Sequence, residues 1–296
     1  MEIRAPASGG RFWAPIPTPL FARLEADLLK ISIVTPTLNA AHFLGECARS
    51  VQLEDFADVE IEHLVVDGGS TDQTLDIARH HGCLIVEEQD DGIFDAANRG
   101  YRAASGDIVG FLGADDELVP GAARALKDWF ARRDTEWAVG SLRWVDSDGK
   151  WLGDIGPPPA WLTPEIYASL GWSCIHHLST YVTPVFFERL GGFDTRFRYS
   201  GDYDFFARAL AAEPYHRLSA TIGQHKRHGD NASMSSDPRV AREDELIATT
   251  YGPSSAAARK RNRLLLQIWL NGMNPRWAAT KLFSARPGRS SETPVG

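Results

Sequence analysis

Short apolar segments alternate with amphipathic ones between residues 31 and 134 of the chain. The apolar segments are almost continuously hydrophobic, which is typical of strands buried on both faces of a parallel sheet. The amphipathic segments have helical spacing, and Pro36 is expected to end the first strand. This order predicts an α/β fold with a mostly parallel sheet flanked by helices. The predicted strands are 31–35, 61–66, 84–86 and 107–112, and the predicted helices are 40–52, 71–81 and 93–104.

The alternation of strands and helices stops after residue 134. Residues 137–144 and 150–152 are predicted to pair as antiparallel strands, because the Asp148-Gly149 dipeptide between them is typical of a hairpin turn. This second part of the chain is therefore expected to be smaller and antiparallel. Its predicted helices are 163–170, 184–190 and 203–212.

The length and composition suit one large globular domain with appendages, or two small domains. A chain of 296 residues that is 43% hydrophobic and 24% charged can bury a sizeable core. The predicted parts are an N-terminal arm (1–30, with a short helix at 18–30), a main domain (31–240, with halves 31–134 and 135–240) and a helical tail (241–296).

Charge and cysteine content exclude several classes of protein. The net charge of −8 argues against general nucleic-acid binding. The three cysteines lack Cys-x-x-Cys spacing, so neither a disulfide framework nor a zinc site is expected, and a reducing compartment fits them. The sequence has no signal-peptide pattern and no apolar run long enough to span a bilayer. A cytoplasmic protein is therefore expected; its oligomeric state is left open.

The C-terminal tail has the opposite charge balance. From residue 253 onward it carries eight Lys or Arg residues and one acid, Glu292. Its apolar residues predict two helical faces. Two interpretations stay open: the tail makes peripheral contact with the cytoplasmic leaflet of the membrane, or it docks on the main domain or a second subunit. The two predicted faces are Leu264, Leu265, Ile268 and Trp269 in the first helix, and Trp277, Leu282 and Phe283 in the second.

Polar residues and glycines follow every predicted strand at its carboxyl end, the edge where open α/β sheets bind ligands. Asp115 and Asp116 follow the fourth strand. Adjacent carboxylates repel each other unless a cation lies between them, and their hard oxygens suit Mg²⁺ or Mn²⁺ bound together with substrate phosphates. The alternative is that one of them caps a helix starting near Leu118.

The second strand is followed by Asp67-Gly68-Gly69-Ser70. Ser70 could simply cap the next helix, or Asp67 could accept a hydrogen bond from a nucleobase N–H. The chain lacks the Gly-x-Gly-x-x-Gly, P-loop and Gly-x-Ser-x-Gly patterns. Dinucleotide-dependent dehydrogenases, P-loop enzymes and α/β-hydrolases are therefore disfavoured.

Taken in order, these segments and several later ones resemble the family 2 glycosyltransferases. The resemblance is strongest to the branch that builds bacterial exopolysaccharides and O-antigens, similar to colanic-acid-type transferases, and it covers residues 31 to about 235. It implies a GT-A fold with a Rossmann-like sheet, a nucleotide-sugar donor, a divalent metal and inversion at the anomeric carbon. The motifs are TPTLN (35–39), DGGSTD (67–72), EQDDGIFDAANRG (88–100), GADD (113–116), His177, LGGFD (190–194), SGDYDF (200–205) and RHGDNAS (227–233).

The resemblance also implies roles for individual residues. Asp116 and His228 would hold the metal, Mn²⁺ or Mg²⁺, with Asp116 as the preferred direct ligand. Asp202 matches the catalytic base. Arg99 could contact a donor phosphate, or it could simply lie on the surface. The residues that would line the nucleotide-sugar site are Thr35, Pro36, Asn39, Asp67, Asp95, Asn98, Arg99 and Asp115.

The implied reaction is an inverting, metal-dependent transfer of a sugar, with UDP the default donor nucleotide by frequency. The acceptor would be a hydroxyl of a glycan or lipid-linked acceptor in bacterial surface polysaccharide synthesis. A cation suits the developing diphosphate charge, and a carboxylate such as Asp202 can take the acceptor proton. Two alternatives are an inactive GT-A-fold protein that binds nucleotide sugars, and a nucleotidyltransferase, whose Gly-rich, Lys-containing loop after the first strand is missing here.

Two features depart from a simple match. Gly201 stands before Asp202 where many relatives have Glu. His225 lies three residues before His228, but no cysteine or further histidine completes a zinc set. His225 is therefore predicted to be a packed or exposed histidine.

Overall fold

The computed structural model describes residues 28–54, 58–87, 89–132, 134–228 and 237–273. The predicted arm over 1–30 and its helix lie outside the described residues, apart from residues 28–30. The strands are β1 (Leu29–Thr37), β2 (Val59–Asp67), β3 (Leu84–Glu87), β4 (Ile108–Phe111), β5 (Asp116–Leu118), β6 (Trp137–Asp146), β7 (Trp151–Ile155), β8 (Thr180–Val182) and β9 (His216–Arg227). The helices are α1 (Leu44–Gln52), α2 (Thr74–His80), α3 (Ile93–Ala103), α4 (Ala122–Phe130), α5 (Pro164–Ala168), α6 (Pro184–Leu190), α7 (Gly201–Ala212), α8 (Pro238–Tyr251) and α9 (Ala256–Met273).

One sheet runs through both predicted halves of the main domain. Its order is β3-β2-β1-β4-β8-β6-β9-β5, and β7 pairs with β6 at the side. The first four strands are mutually parallel, and β4–β8, β8–β6 and β9–β5 are antiparallel. The predicted β6–β7 hairpin is present as well. The predicted α/β class is therefore confirmed. In the second part β6 and β9 are parallel to each other, so the predicted antiparallel arrangement holds only for the other strand pairs there.

Helices cover both faces of the parallel strands. Val34 and Val66 lie under α3 in one core cluster, whereas Ile31 and Ile33 pack with α1 on the other face. A Cβ at Gly100 of α3 would lie 2.3 Å from a methyl group of Val34, so only glycine allows this helix to approach the sheet so closely. The approach fixes the start of α3 beside the carboxyl edge of the sheet.

Two of the differences between predicted and observed elements concern the carboxyl edge of the sheet. β1 continues through Pro36 to Thr37; because β4 pairs only with residues 31–34, a proline is tolerated at this end of the strand. Asp116 opens the short strand β5, which pairs with β9, and α4 begins only at Ala122. The interpretation of Asp115 or Asp116 as the cap of a helix near Leu118 is therefore wrong.

The two C-terminal helices that the structure describes pack on the main domain. The predicted boundary at residue 240 falls inside α8, and Glu243 of that helix accepts hydrogen bonds from the backbone N–H groups of residues 198–200. Leu266 and Leu270 of α9 are buried. Of the first predicted apolar face, Trp269 packs against the core, whereas Leu264, Leu265 and Ile268 are exposed.

The second predicted apolar face, at residues 277–283, lies outside the described residues. Within the described part of the chain, the helices are too short or too polar to cross a membrane.

Candidate active site

Three carboxylate–imidazole pairs lie at and beyond the carboxyl end of β4. They are Asp115 with His228, Asp116 with His225, and Asp202 with His177. The His177 ring contacts Phe111, the last residue of β4, edge to face at 4.4 Å between ring centroids. This contact brings the third pair next to the strand end that carries the first two.

The Asp116–His225 pair is buried and is set by strand pairing. The two residues lie directly opposite each other in the β5–β9 register, and Asp116 Oδ1 is 2.7 Å from His225 Nδ1. Burial raises the pKa of the Asp116 carboxyl, although its hydrogen bond with His225 acts in the opposite direction. Burial lowers the pKa of His225, but the hydrogen bond and charge of Asp116 outweigh it, so that pKa is raised. The pair thus fixes the orientation of the Asp116 carboxylate.

The Asp115–His228 pair is more accessible. Asp115 Oδ2 lies 3.0 Å from His228 Nε2. The Asp115 side chain is 27% exposed, against 3% for Asp116. The His228 ring stacks on Phe43 from the segment before α1, with centroids 4.6 Å apart. Of the two aspartates, Asp115 is therefore the one that a ligand can reach without a rearrangement.

One side-chain oxygen of each aspartate also lies close to Gly113. A Cβ at Gly113 would lie 2.8 Å from Asp115 Oδ1 and 2.8 Å from Asp116 Oδ2. Two carboxylate oxygens therefore point over the same glycine, where any larger residue would displace them. Convergent hard oxygens next to an imidazole are a suitable donor set for Mg²⁺ or Mn²⁺.

This set is not a complete metal cage. Among the described residues, groups of three or more His, Cys, Asp or Glu side chains arranged to hold a metal are absent. Mg²⁺-type sites commonly use one or two carboxylates together with substrate phosphates. The residues present fit that incomplete kind of site.

Asp202 lies in the first turn of α7, not at its cap. Ser200 is the N-cap residue, and the Asp202 carboxylate lies near the positive end of the helix. Asp202 Oδ2 is 3.5 Å from His177 Nδ1, and the Asp202 side chain is 19% exposed. A partly exposed carboxylate that is held by an imidazole can accept a proton from a bound ligand.

Close packing of α7 on α3 explains why a glycine precedes Asp202. A Cβ at Gly201 would lie 2.7 Å from a ring carbon of Phe94, a buried residue of α3. A larger residue at this position would require the Phe94 ring or α7 itself to shift. The departure noted in the sequence therefore reflects close packing of the helix that carries Asp202.

Three predicted donor-site residues are buried and hydrogen-bonded within the fold. Thr35 is fully buried and hydrogen-bonds with His63 Nε2 at 2.9 Å. Asp67 is 2% exposed and accepts four hydrogen bonds from its own chain. Asn98 is 4% exposed, and its amide donates to the backbone O and accepts from the backbone N–H of Phe193. The prediction that these side chains line the nucleotide-sugar site stays a prediction.

The other predicted donor-site residues lie at the sheet edge or on α3. Pro36 is at the end of β1. Asn39 follows it with a positive φ of 53°, and its side-chain oxygen accepts from the N–H of Thr71 at 2.9 Å. On α3, Asp95 is 3.0 Å from Arg99 as an i,i+4 ion pair. Arg99 therefore forms an ion pair with Asp95, and a contact between Arg99 and a donor phosphate stays a prediction.

Sequence reasoning missed one carboxylate at this edge. Asp90 lies over Gly68: a Cβ there would be only 2.5 Å from Asp90 Oδ2, while Asp90 Oδ1 accepts the N–H of Gly92 at 2.9 Å. His225 and His177 were also left out of the predicted site. Asp90 belongs to the EQDDGIFDAANRG motif. Its position over Gly68, however, depends on the packing of the loop after β3 against the loop after β2, which the sequence pattern does not show.

Comparisons with known proteins agree with this architecture. The family model described as glycosyl transferase family 2 matches residues 32–177. A PGL/p-HBAD biosynthesis glycosyltransferase of Mycobacterium tuberculosis is 30% identical over 188 residues, which cover 61% of this chain and 69% of that protein. A chondroitin synthase of Escherichia coli is 25% identical over 72% of this chain and 32% of its own length.

Solved structures share the fold. S. aureus TarS, residues 1–349, in complex with UDP-GlcNAc, matches 79% of this chain and 70% of that chain with a TM-score of 0.59 at 19% identity. The mannosyltransferase PcManGT of Pyrobaculum calidifontis, in complex with GDP-Man and Mn²⁺, matches 88% of this chain and 76% of that chain with a TM-score of 0.55 at 22% identity. The chain therefore belongs to glycosyl transferase family 2 and is a glycosyltransferase with a GT-A fold.

Proposed function

We propose that this enzyme transfers a sugar from a nucleoside diphosphate sugar to a hydroxyl group, with a divalent metal and with inversion at the anomeric carbon. The proposed acceptor is a glycan or lipid-linked glycan of bacterial surface polysaccharide synthesis, and the default donor nucleotide is UDP. The observation that carries the proposal is the convergence of Asp115 and Asp116 oxygens over Gly113, with the Asp202–His177 pair beside the same strand end.

The direct metal ligands in this proposal are Asp115 and His228. They form the accessible pair, whereas Asp116 is held in the interior by His225. The resemblance implied Asp116 as the preferred direct ligand, so this assignment differs from it. Asp116 Oδ2 would be a second, more deeply buried oxygen near the metal. When bound, Mn²⁺ or Mg²⁺ would neutralise the charge that develops on the departing diphosphate. The mannosyltransferase PcManGT, which shares the fold, was solved in complex with GDP-Man and Mn²⁺.

The nucleobase is read by Asp90 in this proposal, because the four hydrogen bonds of Asp67 leave its carboxylate saturated. Asp90 is partly exposed above Gly68, and its Oδ2 is directed at the glycine turn. A carboxylate oxygen accepts a hydrogen bond from the ring N–H of uracil or guanine, which cytosine lacks. Both UDP and GDP donors satisfy this rule.

Asp202 acts as the base. It removes the proton from the acceptor hydroxyl as the oxygen attacks the anomeric carbon, and His177 holds its Oδ2. The carbon–oxygen bond to the diphosphate breaks as the new glycosidic bond forms, so a single displacement inverts the centre. Asp204 is not an alternative base, since it is 4% exposed and bound by Arg208 and Tyr251.

Hydrolysis of a panel of nucleotide sugars, followed by mass spectrometry, tests the proposal. We expect one or a few donors to release their nucleoside diphosphate slowly in Mn²⁺ or Mg²⁺ without an acceptor. The anomer produced, read by NMR before it equilibrates, reports inversion. Binding of donors without any turnover would support the alternative of an inactive nucleotide-sugar-binding protein.

A further inference from the structure

The outward face of α9 is apolar at its centre and positively charged at one end. Leu264 and Ile268 are 57% and 61% exposed, and Leu265 beside them is 46% exposed. Lys260 lies one turn before Leu264 in the same row, and Arg261 lies one turn before Leu265. Both cations are exposed as well. The helix therefore presents large aliphatic side chains next to cations, on a surface that the described residues leave open to solvent.

The opposite face of the same helix fixes it to the domain. Leu266 and Leu270 are 0% and 5% exposed, and Asn262 donates to Ser169 Oγ at 3.2 Å. Arg263 donates to the backbone oxygen of Ser169, next to α5. Because these contacts hold the helix in place, α9 cannot rotate to bury Leu264, Leu265 and Ile268 in the core.

The positive charge around α9 indicates which kind of partner can bind its outward face. Residues 246–291 contain eight Lys or Arg and no Asp or Glu, although the whole chain has a net charge of −8. A second copy of α9, with four cations of its own, would be repelled. The segment 274–296 adds four more cations and one acid, so it fits this face poorly. An anionic surface is the complementary partner.

We propose that the outward face of α9 binds the surface of an anionic lipid bilayer. Leu264, Leu265 and Ile268 would enter the boundary between headgroups and acyl chains, while Lys260 and Arg261 contact anionic headgroups. A soluble anion would satisfy the cations but would leave three exposed aliphatic side chains in water. The combination of both features on one face favours the lipid surface.

The packed face of α9 is connected through the fold to the proposed catalytic base. α9 holds Ser169 at the end of α5, and the neighbouring Ala168 accepts a 2.9 Å hydrogen bond from Tyr203, the residue after Asp202. Two packed contacts thus connect the lipid-binding helix to the proposed base. A role of this connection in presenting a lipid-linked acceptor to Asp202 rests on the proposed function, whereas the membrane contact itself does not.

Co-sedimentation of the full chain with vesicles tests the proposal. Vesicles of phosphatidylcholine mixed with phosphatidylglycerol are compared with pure phosphatidylcholine at low and high salt. We expect pelleting with the anionic vesicles alone, and release by salt. Lys260→Gln with Arg261→Gln should weaken partitioning by roughly 25-fold, about fivefold for each cation. Leu264→Gln with Ile268→Gln should weaken it by about tenfold or more.

The control is Val185→Gln with Arg124→Gln, which removes one exposed apolar residue and one exposed cation from α6 and α4. This control should bind like the parent chain. Circular dichroism verifies that each variant is folded, and donor hydrolysis in solution reports the active site separately from membrane binding.

Three results would overturn the proposal. The parent chain could stay in the supernatant at low salt. Binding could be lost on removal of residues 274–296 yet be unaffected by the four α9 substitutions. Light scattering could show a dimer that Leu264→Gln with Ile268→Gln converts to a monomer, which would assign the face to a second copy.

Discussion

The substitution Asp67→Asn separates a scaffold role of this residue from a ligand-binding role. The carboxylate accepts hydrogen bonds from the backbone N–H groups of Gly69 and Ser70 and from the hydroxyls of Ser70 and Thr37. Asparagine keeps the shape, and the hydroxyls can rotate to accept from its amide. The charge is lost, however, and charge-assisted hydrogen bonds are roughly twice as strong as neutral ones.

With a loss of about 0.5–1 kcal/mol at each of four hydrogen bonds, the free energy of unfolding should fall by about 2–4 kcal/mol. Urea denaturation followed by tryptophan fluorescence measures this change, and calorimetric titration with UDP measures donor affinity. Asp90→Asn is the matched variant: it loses charge at one backbone hydrogen bond, so we expect little change in stability but about tenfold weaker nucleotide binding.

The opposite result would refute this reasoning. If Asp67→Asn leaves the urea midpoint unchanged and weakens UDP binding tenfold, while Asp90→Asn binds UDP like the parent enzyme, then Asp67 reads the base as the resemblance implied.

Three further predictions concern catalysis, packing and pH. Asp202→Asn should lower kcat roughly a hundredfold with little change in the donor KM, and a near-parental kcat would move the base elsewhere. Gly201→Ala should lower stability by about 1–3 kcal/mol in thermal unfolding, because the new Cβ meets Phe94 at 2.7 Å; an unchanged Tm would contradict the close packing of α7 on α3. Burial lowers the pKa of His63 from 6.5 to about 4, so its contribution to stability is complete above pH 6.5 and is lost as pH falls towards 4, by up to about 3 kcal/mol. His63→Gln should remove that part of the pH dependence of urea unfolding, and an unaltered pH profile would argue against it.

The parallel half of the fold could be predicted from the sequence because its signals are local. β1, β2 and α3 each carry their apolar pattern within a dozen residues, and Gly82 after α2 has the positive φ of 67° that favours glycine. The short strand β5 could not be predicted in this way. Its three residues become a strand only because β9, about a hundred residues later, pairs with them.

The same distance in sequence explains what was missed at the site. His225 is opposite Asp116 only through the β5–β9 register, so it could not be recognised as the partner of that carboxylate. The pattern did place Asp115 and Asp116 at the carboxyl end of a strand, which is a local feature, whereas Asp202 and His228 were assigned to the site only through the family resemblance. The burial of Thr35 and Asp67 could not be predicted from their motifs alone.

The predicted apolar face of α9 differs from the structure at Trp269 for a different physical reason. Six of the seven residues from Leu264 to Leu270 are apolar, so helical periodicity alone does not select a side. Tertiary contacts select it: Asn262 binds Ser169, and this hydrogen bond turns Leu266 and Leu270 inward. Leu264, Leu265 and Ile268 are left outside as a result.

The most direct test of metal-dependent transfer at this site is the rate of nucleoside diphosphate release from the donor, measured against Mn²⁺ concentration. The parent enzyme should lose activity in excess chelator and regain it with added Mn²⁺. Asp115→Asn should shift the Mn²⁺ dependence to much higher concentration and lower the maximal rate, with the fold intact by circular dichroism. Full release in excess chelator, or an Asp115→Asn variant with the parental Mn²⁺ dependence, would contradict the account.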